Sequence, residues 1–441
     1  MSLQDQNIAI LGAGRSGLGA ARLARLHGAR VTVMDEGDPA RIAPALEKLH
    51  AEGFDTLPGA PARDLVVRPG EWSRAVISPG LDAGWPLPKK FTSAGVPLTG
   101  EMEFGYGFCR TSLAAITGTN GKSTCTEITA AVFNGCGLKS LPCGNHGVSL
   151  SEVVASGENY DVLALEVSSF QLETIRAFRP RVAVWLNFAP DHLDRYPGME
   201  EYFSAKARIF ENMTGEDLAV VRAGEPVNSG AARRVTFSAH GMEADWTWAD
   251  GVIRHPGGEA PTGGIRLRGR HNMENLLAAL IACQSFGLDV PDMLRAAAGF
   301  EPPAHRCELV REWRGREFIN DSKATNLHAL NACLLAMDRP VILIAGGKDK
   351  QLDYAPLLAS LPGRVRAMVL IGEIAPALHS LFSPHLPCER AADMDEAVRR
   401  AARLSQEGDL VLLSPGTSSF DMYTGYAQRG EAFRAAALSL H

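Results

Sequence analysis

Nothing in the 441-residue sequence approaches the roughly 18 consecutive apolar residues that a membrane-spanning helix requires, so insertion into a bilayer is not expected. The opening MSLQDQ carries neither the basic patch nor the apolar stretch of a secretory leader, and the chain is expected in the cytoplasm. The eight cysteines form no CxxC pair and no Cys/His group at zinc spacing. They read as reduced, mostly buried thiols, and neither a disulfide framework nor a structural zinc centre is expected. Cations are also sparse: 44 Lys and Arg stand against 50 Asp and Glu, a net charge of −6, and they are scattered rather than striped. That leaves no electrostatic footprint for duplex nucleic acid or an anionic membrane, although a small anion held locally remains compatible. No repeat of fixed period runs through the chain.

What is present is the composition of a folded protein, 46% apolar and 21% charged, at a length that suggests about three domains. Apolar runs at 8–11, 31–34 and 75–77 alternate with a glycine turn and an Ala/Leu-rich helix over 17–27, a βαβ pattern that ends near residue 100. A second α/β region opens with a strand at 113–116, passes a glycine loop into a helix at 122–133, and returns as buried strands at 162–166 and 182–187. Residues 218–267 are richer in strand signals, and 272–286 is a strong Leu/Ala helix. After Pro302-Pro303, a linker signal, strands at 317–320, 341–345, 367–371 and 409–413 interleave with helices such as 393–404. The expectation is an α/β chain of three domains, 1–100, 101–302 and 303–441, with partly parallel sheets.

Two glycine loops carry phosphate chemistry. Gly12-Ala13-Gly14-Arg15-Ser16-Gly17 lies between a strand and a helix, where backbone amides and a helix N-terminus can meet a diphosphate, and Asp35 ends the next strand within reach of a ribose hydroxyl. Alone this pattern admits a nicotinamide-dependent oxidoreductase, another diphosphate nucleotide, or a turn needed only for packing. Sharper is Gly118-Thr119-Asn120-Gly121-Lys122-Ser123-Thr124, again between strand and helix. Its amides would wrap β- and γ-phosphates, Lys122 would neutralise them, and Ser123 would reach magnesium. The first glycine sits at 118, because Ile116 occupies the position where GxxxxGK[ST] has it. A non-catalytic nucleotide-binding module would use the same loop.

Further polar residues follow strand ends at the same edge. Glu166 ends one strand and suits a magnesium ligand; Asp191-His192-Leu193-Asp194-Arg195 follows another and places an imidazole among carboxylates. Lys206 shares a helical face with Tyr202, Phe203, Ile209 and Phe210, so its ammonium is aimed at a core. Burial favours the free amine, which can add carbon dioxide to give a carbamate fit for a hard cation; alternatively the stem covers apolar surface while the head reaches water. In the last region Asp321, Lys323 and Thr325, the loops 346–350 and 414–421, and Arg306 gather cations and hydroxyls suited to a dicarboxylate or a transferring phosphate.

These motifs in order, GTNGKST at 118–124, LEVSSFQLE at 165–173, DHLDRY at 191–196, YFSAKARIFEN at 202–212, GRHNMEN at 269–275, HR at 305–306, NDSKATN at 320–326 and LSPGTSSFDMY at 413–423, resemble the Mur ligases of peptidoglycan synthesis along the whole chain. The DNPR signature of the branch that adds diaminopimelate or lysine is missing. The resemblance implies an N-terminal Rossmann-like domain for a UDP-sugar, a central P-loop ATPase-like domain with a mixed sheet, and a C-terminal Rossmann-like domain. It further implies an ATP-dependent amide ligase of cell-wall synthesis, working through an acyl phosphate, with UDP-N-acetylmuramoyl-L-alanine and D-glutamate as substrates. L-glutamate is the alternative acceptor, and a monomer is expected. Carried over by motif, Gly118 to Thr124, Asn272, Asn275, Arg306 and Asp321 would bind ATP. Two magnesium sites would use Ser123, Glu166, His192 and a carbamylated Lys206. Lys122, His192, Lys206 and Lys323 would serve catalysis. Ser16, Asp35, Ser78, Gly80 and Asn145 would meet the UDP-sugar, and Thr325, Lys350, Ser419 and Tyr426 the glutamate. Two positions depart from the family pattern: His146 stands where isoleucine is usual and Tyr426 where phenylalanine is common.

Overall fold

The computed structural model describes every residue except Met1, Leu193, Asp194, Arg268, Pro302, Pro303, Asp338 and Gln351. The Pro302-Pro303 linker and two residues of the DHLDRY loop therefore lie outside the described residues. Three sheets occupy the three stretches expected to carry them. The first is wholly parallel, in the order β3-β2-β1-β4-β5, from β1 Asn7–Leu11, β2 Arg30–Asp35, β3 Asp55–Pro58, β4 Arg74–Ile77 and β5 Leu98–Gly100. Strand order reverses between β1 and β4, and a crevice at such a switch point is where open α/β sheets receive ligands.

The second sheet has nine strands: β6 Ser112–Thr117, β7 Ser140–Gly144, β8 Val162–Glu166, β9 Val182–Trp185, β10 Leu218–Arg222, β11 Arg233–Ser238, β12 Trp246–Ala249, β13 Val252–His255 and β14 Gly258–Pro261. Their order is β14-β13-β12-β11-β10-β9-β6-β8-β7, parallel throughout except for the terminal β12-β13-β14 meander. Every residue of β8 is buried, as a strand covered on both faces demands, which explains its unbroken apolar run up to Glu166. The helical face expected to carry Lys206 is an α-helix over Met199–Ala207 that tightens into a 3₁₀ turn at Arg208–Phe210. The i→i+3 turn satisfies the last carbonyls while burying Ile209 and Phe210.

The third sheet, β15-β16-β20-β17-β18-β19, is built from β15 Glu308–Trp313, β16 Arg316–Asn320, β17 Val341–Gly346, β18 Val365–Ile371, β19 Cys388–Arg390 and β20 Leu410–Leu413. It is parallel apart from the β15-β16 hairpin. Two strands beyond the four expected are its edges: β15 is partly exposed, with charged residues breaking up its apolar ones, and β19 is three residues long. The helix Met394–Leu404 starts on Asp393, whose side chain accepts from the Glu396 amide, and buries Ala397, Val398 and Ala401. The first two sheets belong to one compact unit and the third to another. Among the described residues no helix is long and apolar enough to cross a membrane.

Candidate active site

The helix Lys122–Gly135 begins on Gly121 at φ +84, where a side chain would be strained and a Cβ would also fall 2.4 Å from Asn275 Oδ1. The loop before it is fixed by Asn187, which follows β9. Its carbonyl accepts from the Thr119 amide at 2.9 Å, its Oδ1 from the Asn120 amide at 2.9 Å, and its Nδ2 donates to the Asn120 carbonyl at 3.0 Å. Lys122 Nζ curls back onto the carbonyls of Gly118 and Thr119, both at 2.9 Å. Asn187 went unnoticed in the sequence because its partners are 67 residues away; its place at a strand end was the available signal.

Lys206 is buried, 1% exposed, as the spacing of its neighbours predicts. Its Nζ donates to the Gly118 carbonyl at 3.1 Å and sits 4.7 Å from the centre of the Tyr202 ring, so it does not reach water as a snorkelling lysine would. The Tyr202 hydroxyl lies 3.3 Å from Thr119 Oγ1, a second tie between this helix and the phosphate loop. His192 packs edge-on to Phe170 with ring centroids 4.9 Å apart, and holds φ +54, an uncommon conformation for a side-chain-bearing residue.

Glu166 is 3% exposed. One carboxylate oxygen accepts from Asn145 Nδ2 at 2.7 Å and the other has no hydrogen-bond partner. Burial is the largest influence on this carboxyl and pushes it up, but the Lys122 charge, the Ser123 hydroxyl, the Asn145 amide and His146 together outweigh it and hold the group below the usual carboxylate range. An ionised, buried oxygen without a donor, beside a serine hydroxyl, is a donor set that fits a hard divalent cation. Asn145 is thus placed on Glu166, and His146 pairs with Glu127 at 2.6 Å.

At the first sheet's switch point, Gly12 has φ +104 and a Cβ there would stand 2.7 Å from Ser78 Oγ, so the glycine turn and the end of β4 meet closely. Asp35 accepts from the Ala13 amide and the Gly37 amide, both at 2.8 Å, and so braces the turn. Ser16 is half-buried in the first helical turn, and Gly80 is exposed beyond β4. Ser78, Gly100, Phe170, Gln171, Glu173 and Arg195 line one recess. There Arg195 stacks 3.9 Å over Phe170 and donates to Glu173 at 2.9 Å.

In the third sheet, the carboxyl ends of β16, β17 and β20 deliver three loops to one edge. Lys323 Nζ lies 3.8 Å over the Tyr426 ring, and Lys350 Nζ donates to the Thr325 carbonyl at 3.4 Å. Ser419 is buried on the loop after β20. A residue missed in the sequence holds these loops: Arg429, 1% exposed, donates to the Ser322 hydroxyl at 3.0 Å, the Ser322 carbonyl at 2.9 Å and the Thr417 carbonyl at 3.1 Å. Burial pulls its guanidinium down to about 10, still charged at neutral pH. Asp321 accepts from the Ser414 hydroxyl at 2.9 Å and the Cys307 amide at 3.3 Å, and burial pushes it up to about 6. Arg306 stands between His305 and Cys307, both at positive φ. Asn272 and Asn275 are buried three residues apart on the helix Arg270–Gln284.

Comparison with known proteins adds the following. Residues 116–283 match the Mur ligase middle domain and 305–417 the Mur ligase, glutamate ligase domain. The chain is 40% identical to the UDP-N-acetylmuramoylalanine--D-glutamate ligase of Geobacter metallireducens, covering 100% of this chain and 99% of that protein. It is 39% identical to the protein of the same name from Anaeromyxobacter dehalogenans, over 98% of this chain and 97% of that protein. Among solved structures, the UDP-N-acetylmuramate-alanine ligase MurC of Thermotoga maritima aligns with a TM-score of 0.62 at 18% identity, over 98% of this chain and 99% of that one. MurF of the same organism, in complex with ADP, aligns with a TM-score of 0.60 at 16% identity, over 98% and 94%.

Proposed function

The chain belongs to the Mur ligase family, and from that premise we propose that it joins D-glutamate to UDP-N-acetylmuramoyl-L-alanine in peptidoglycan precursor synthesis, with ATP as phosphoryl donor. One observation carries the reading: end-to-end identity of 40% with a D-glutamate ligase, a span that takes in both the phosphate loop and the Lys323–Tyr426 cluster. Residues 1–100 receive the UDP-sugar through Ser16, Asp35, Ser78 and Gly80, with Asn145 contributing from the second region. Residues 101–302 bind ATP. Residues 303–441 bind glutamate and part of ATP. The enzyme works as a cytoplasmic monomer.

The chemistry needs negative charge to be stabilised twice, first on the phosphoryl group passing to the substrate carboxylate and then on the tetrahedral adduct formed by the glutamate amine. Amides of Gly118 to Thr124 and the Lys122 ammonium hold the ATP phosphates, and Lys122 would leave its two loop carbonyls to do so. Asn272 and Asn275 face the adenine; Arg306 and Asp321 hold the nucleotide from the third region. Lys323 approaches the acyl phosphate, and Thr325, Lys350, Ser419 and Tyr426 orient glutamate so that its amine is the attacking group. Ser123 and Glu166 would hold one magnesium ion, and His192 with a carbamylated Lys206 a second. When bound, these ions neutralise phosphate charge and polarise the transferred group.

The deciding experiment is phosphate release with ATP and UDP-N-acetylmuramoyl-L-alanine, with D-glutamate, L-glutamate, L-alanine or meso-diaminopimelate as acceptor. Release with D-glutamate alone is expected. Release with L-glutamate instead would keep the mechanism and change the acceptor, and silence with all four would overturn the ligase reading.

A further inference from the structure

The sequence spacing of the cysteines gives no metal signature, yet the fold brings two of them together. Cys307, just before β15, and Cys333, on the helix Leu327–Ala336, place their sulfurs 3.4 Å apart across 26 residues. Asp321, just after β16, completes the group. One donor atom from each of the three lies within 4.8 Å of the others, the one such convergence of three or more ligand-type side chains among the described residues. We propose that Cys307, Cys333 and Asp321 form a binding site for a thiophilic divalent cation of the zinc class.

The donor chemistry selects that class. Two sulfurs and one carboxylate oxygen suit a borderline-soft ion and are poor ligands for magnesium. Metal–sulfur distances of about 2.3 Å in a tetrahedron separate two sulfurs by about 3.8 Å, so the observed pair needs to open by only a few tenths of an ångström. Cys307 is held at φ +47 in a segment where His305 also has positive φ, a conformation that persists only where the surroundings enforce it. Cys333 and Asp321 are buried and Cys307 half-buried, so the group is largely shielded from solvent. On binding, the cation displaces the two thiol protons to solvent and forms two metal–sulfur bonds, with no change of oxidation state. Three protein donors leave one tetrahedral position for water, as in exchangeable rather than closed zinc sites. The ion would tie together the start of β15, the end of β16 and the helix Leu327–Ala336. Because Asp321 is also assigned above to the nucleotide, a filled site would weaken ATP binding; this consequence alone rests on that assignment.

The test uses the full-length enzyme, stripped of metal and kept reduced with a non-thiol reductant, titrated with cobalt(II) while excess magnesium occupies oxygen-rich sites. One equivalent of cobalt with a thiolate-to-metal charge-transfer band, displaced by zinc, is expected. The band should vanish in Cys307→Ser and in Cys333→Ser, and zinc should raise the thermal midpoint of the parent enzyme but of neither variant. Cys307 is half-buried, so its serine variant folds even where the buried Cys333→Ser does not. Absence of the band in the reduced parent, or its survival in both variants, would overturn the site. A band accompanied by unchanged ATP affinity would uphold the metal site and remove Asp321 from the nucleotide.

Discussion

Lys122 and Lys206 donate to the same oxygen, the carbonyl of Gly118, at 2.9 Å and 3.1 Å. The shared acceptor ties the phosphate loop to the helix that carries Lys206 and gathers both amines where phosphate charge would sit. ATP phosphates would draw Lys122 off this carbonyl, and carbon dioxide added to the Lys206 amine would replace it with an anion. In the presence of ¹³C-bicarbonate the parent enzyme should therefore show a carbamate carbonyl resonance that Lys206→Arg lacks. Lys122→Ala should lower kcat by about 10²- to 10³-fold, the scale of removing one preorganised electrostatic partner, with an unchanged circular dichroism spectrum. A labelled carbamate equally strong in Lys206→Arg would refute the carbamate.

The half-satisfied carboxylate of Glu166 makes a different prediction. Glu166→Gln keeps the size and an acceptor for Asn145 but loses the charge, so the magnesium concentration for half-maximal rate should rise by at least about 10-fold. Asn145→Ala frees one oxygen without removing charge and should cost less than about 10-fold. Because the folded carboxyl is held below its ordinary range, its contribution to stability is present above the unfolded value and fades only as pH falls through the lower folded value. A pH profile of magnesium-dependent rate that collapsed near neutrality would contradict this.

The site was legible wherever the chemistry is local in sequence. Gly121 reads as a turn because GTNGKST falls between a strand and a helix, and the structure places it at φ +84; the burial of Lys206 follows from Tyr202, Phe203, Ile209 and Phe210 at helical spacing. Asn187, Arg429 and the Cys307–Cys333 pair were not legible, since their partners arrive only through strand order: Asn187 meets Asn120 because β9 lies beside β6, and Arg429 meets Ser322 across 107 residues. The edge strands β15 and β19 were missed for a related reason. An edge carries partly polar residues or is cut short, which removes the apolar run by which the buried strands announce themselves.

Arg429 offers a test of how the acceptor loops are held. Its guanidinium bridges Ser322, next to Lys323, to Thr417, two residues before Ser419. Truncation leaves two buried carbonyls and a hydroxyl without their donor, and hydrogen bonds to a charged group are worth about 1.5–3 kcal/mol each. Arg429→Met should destabilise the protein by roughly 3 kcal/mol or more in urea unfolding. Arg429→Lys keeps the charge but not the planar fork, and should raise KM for glutamate with a smaller effect on KM for the UDP-sugar. Equal effects on both constants would assign Arg429 a general structural role instead.

Glu101 gives the clearest pH dependence outside the proposed ligands. It follows β5, is 2% exposed, accepts from the Ser151 amide at 2.8 Å through one oxygen, and leaves the other oxygen buried without a partner. Burial pushes its carboxyl above the ordinary value of 4.5, more than the bonds from Ser151 pull it down. A folded state that holds its proton more tightly than the unfolded chain gains stability below the unfolded value and loses it as pH rises toward and through the folded one. Glu101→Gln preserves the carbonyl for Ser151 and cannot ionise. The thermal midpoint of the variant should match the parent near pH 4, exceed it as pH rises above the ordinary carboxylate value, and level off once the folded carboxyl has ionised. Midpoints that ran parallel across that range would show that the fold already accommodates the charge, and that the unpartnered oxygen of Glu101 carries no electrostatic cost.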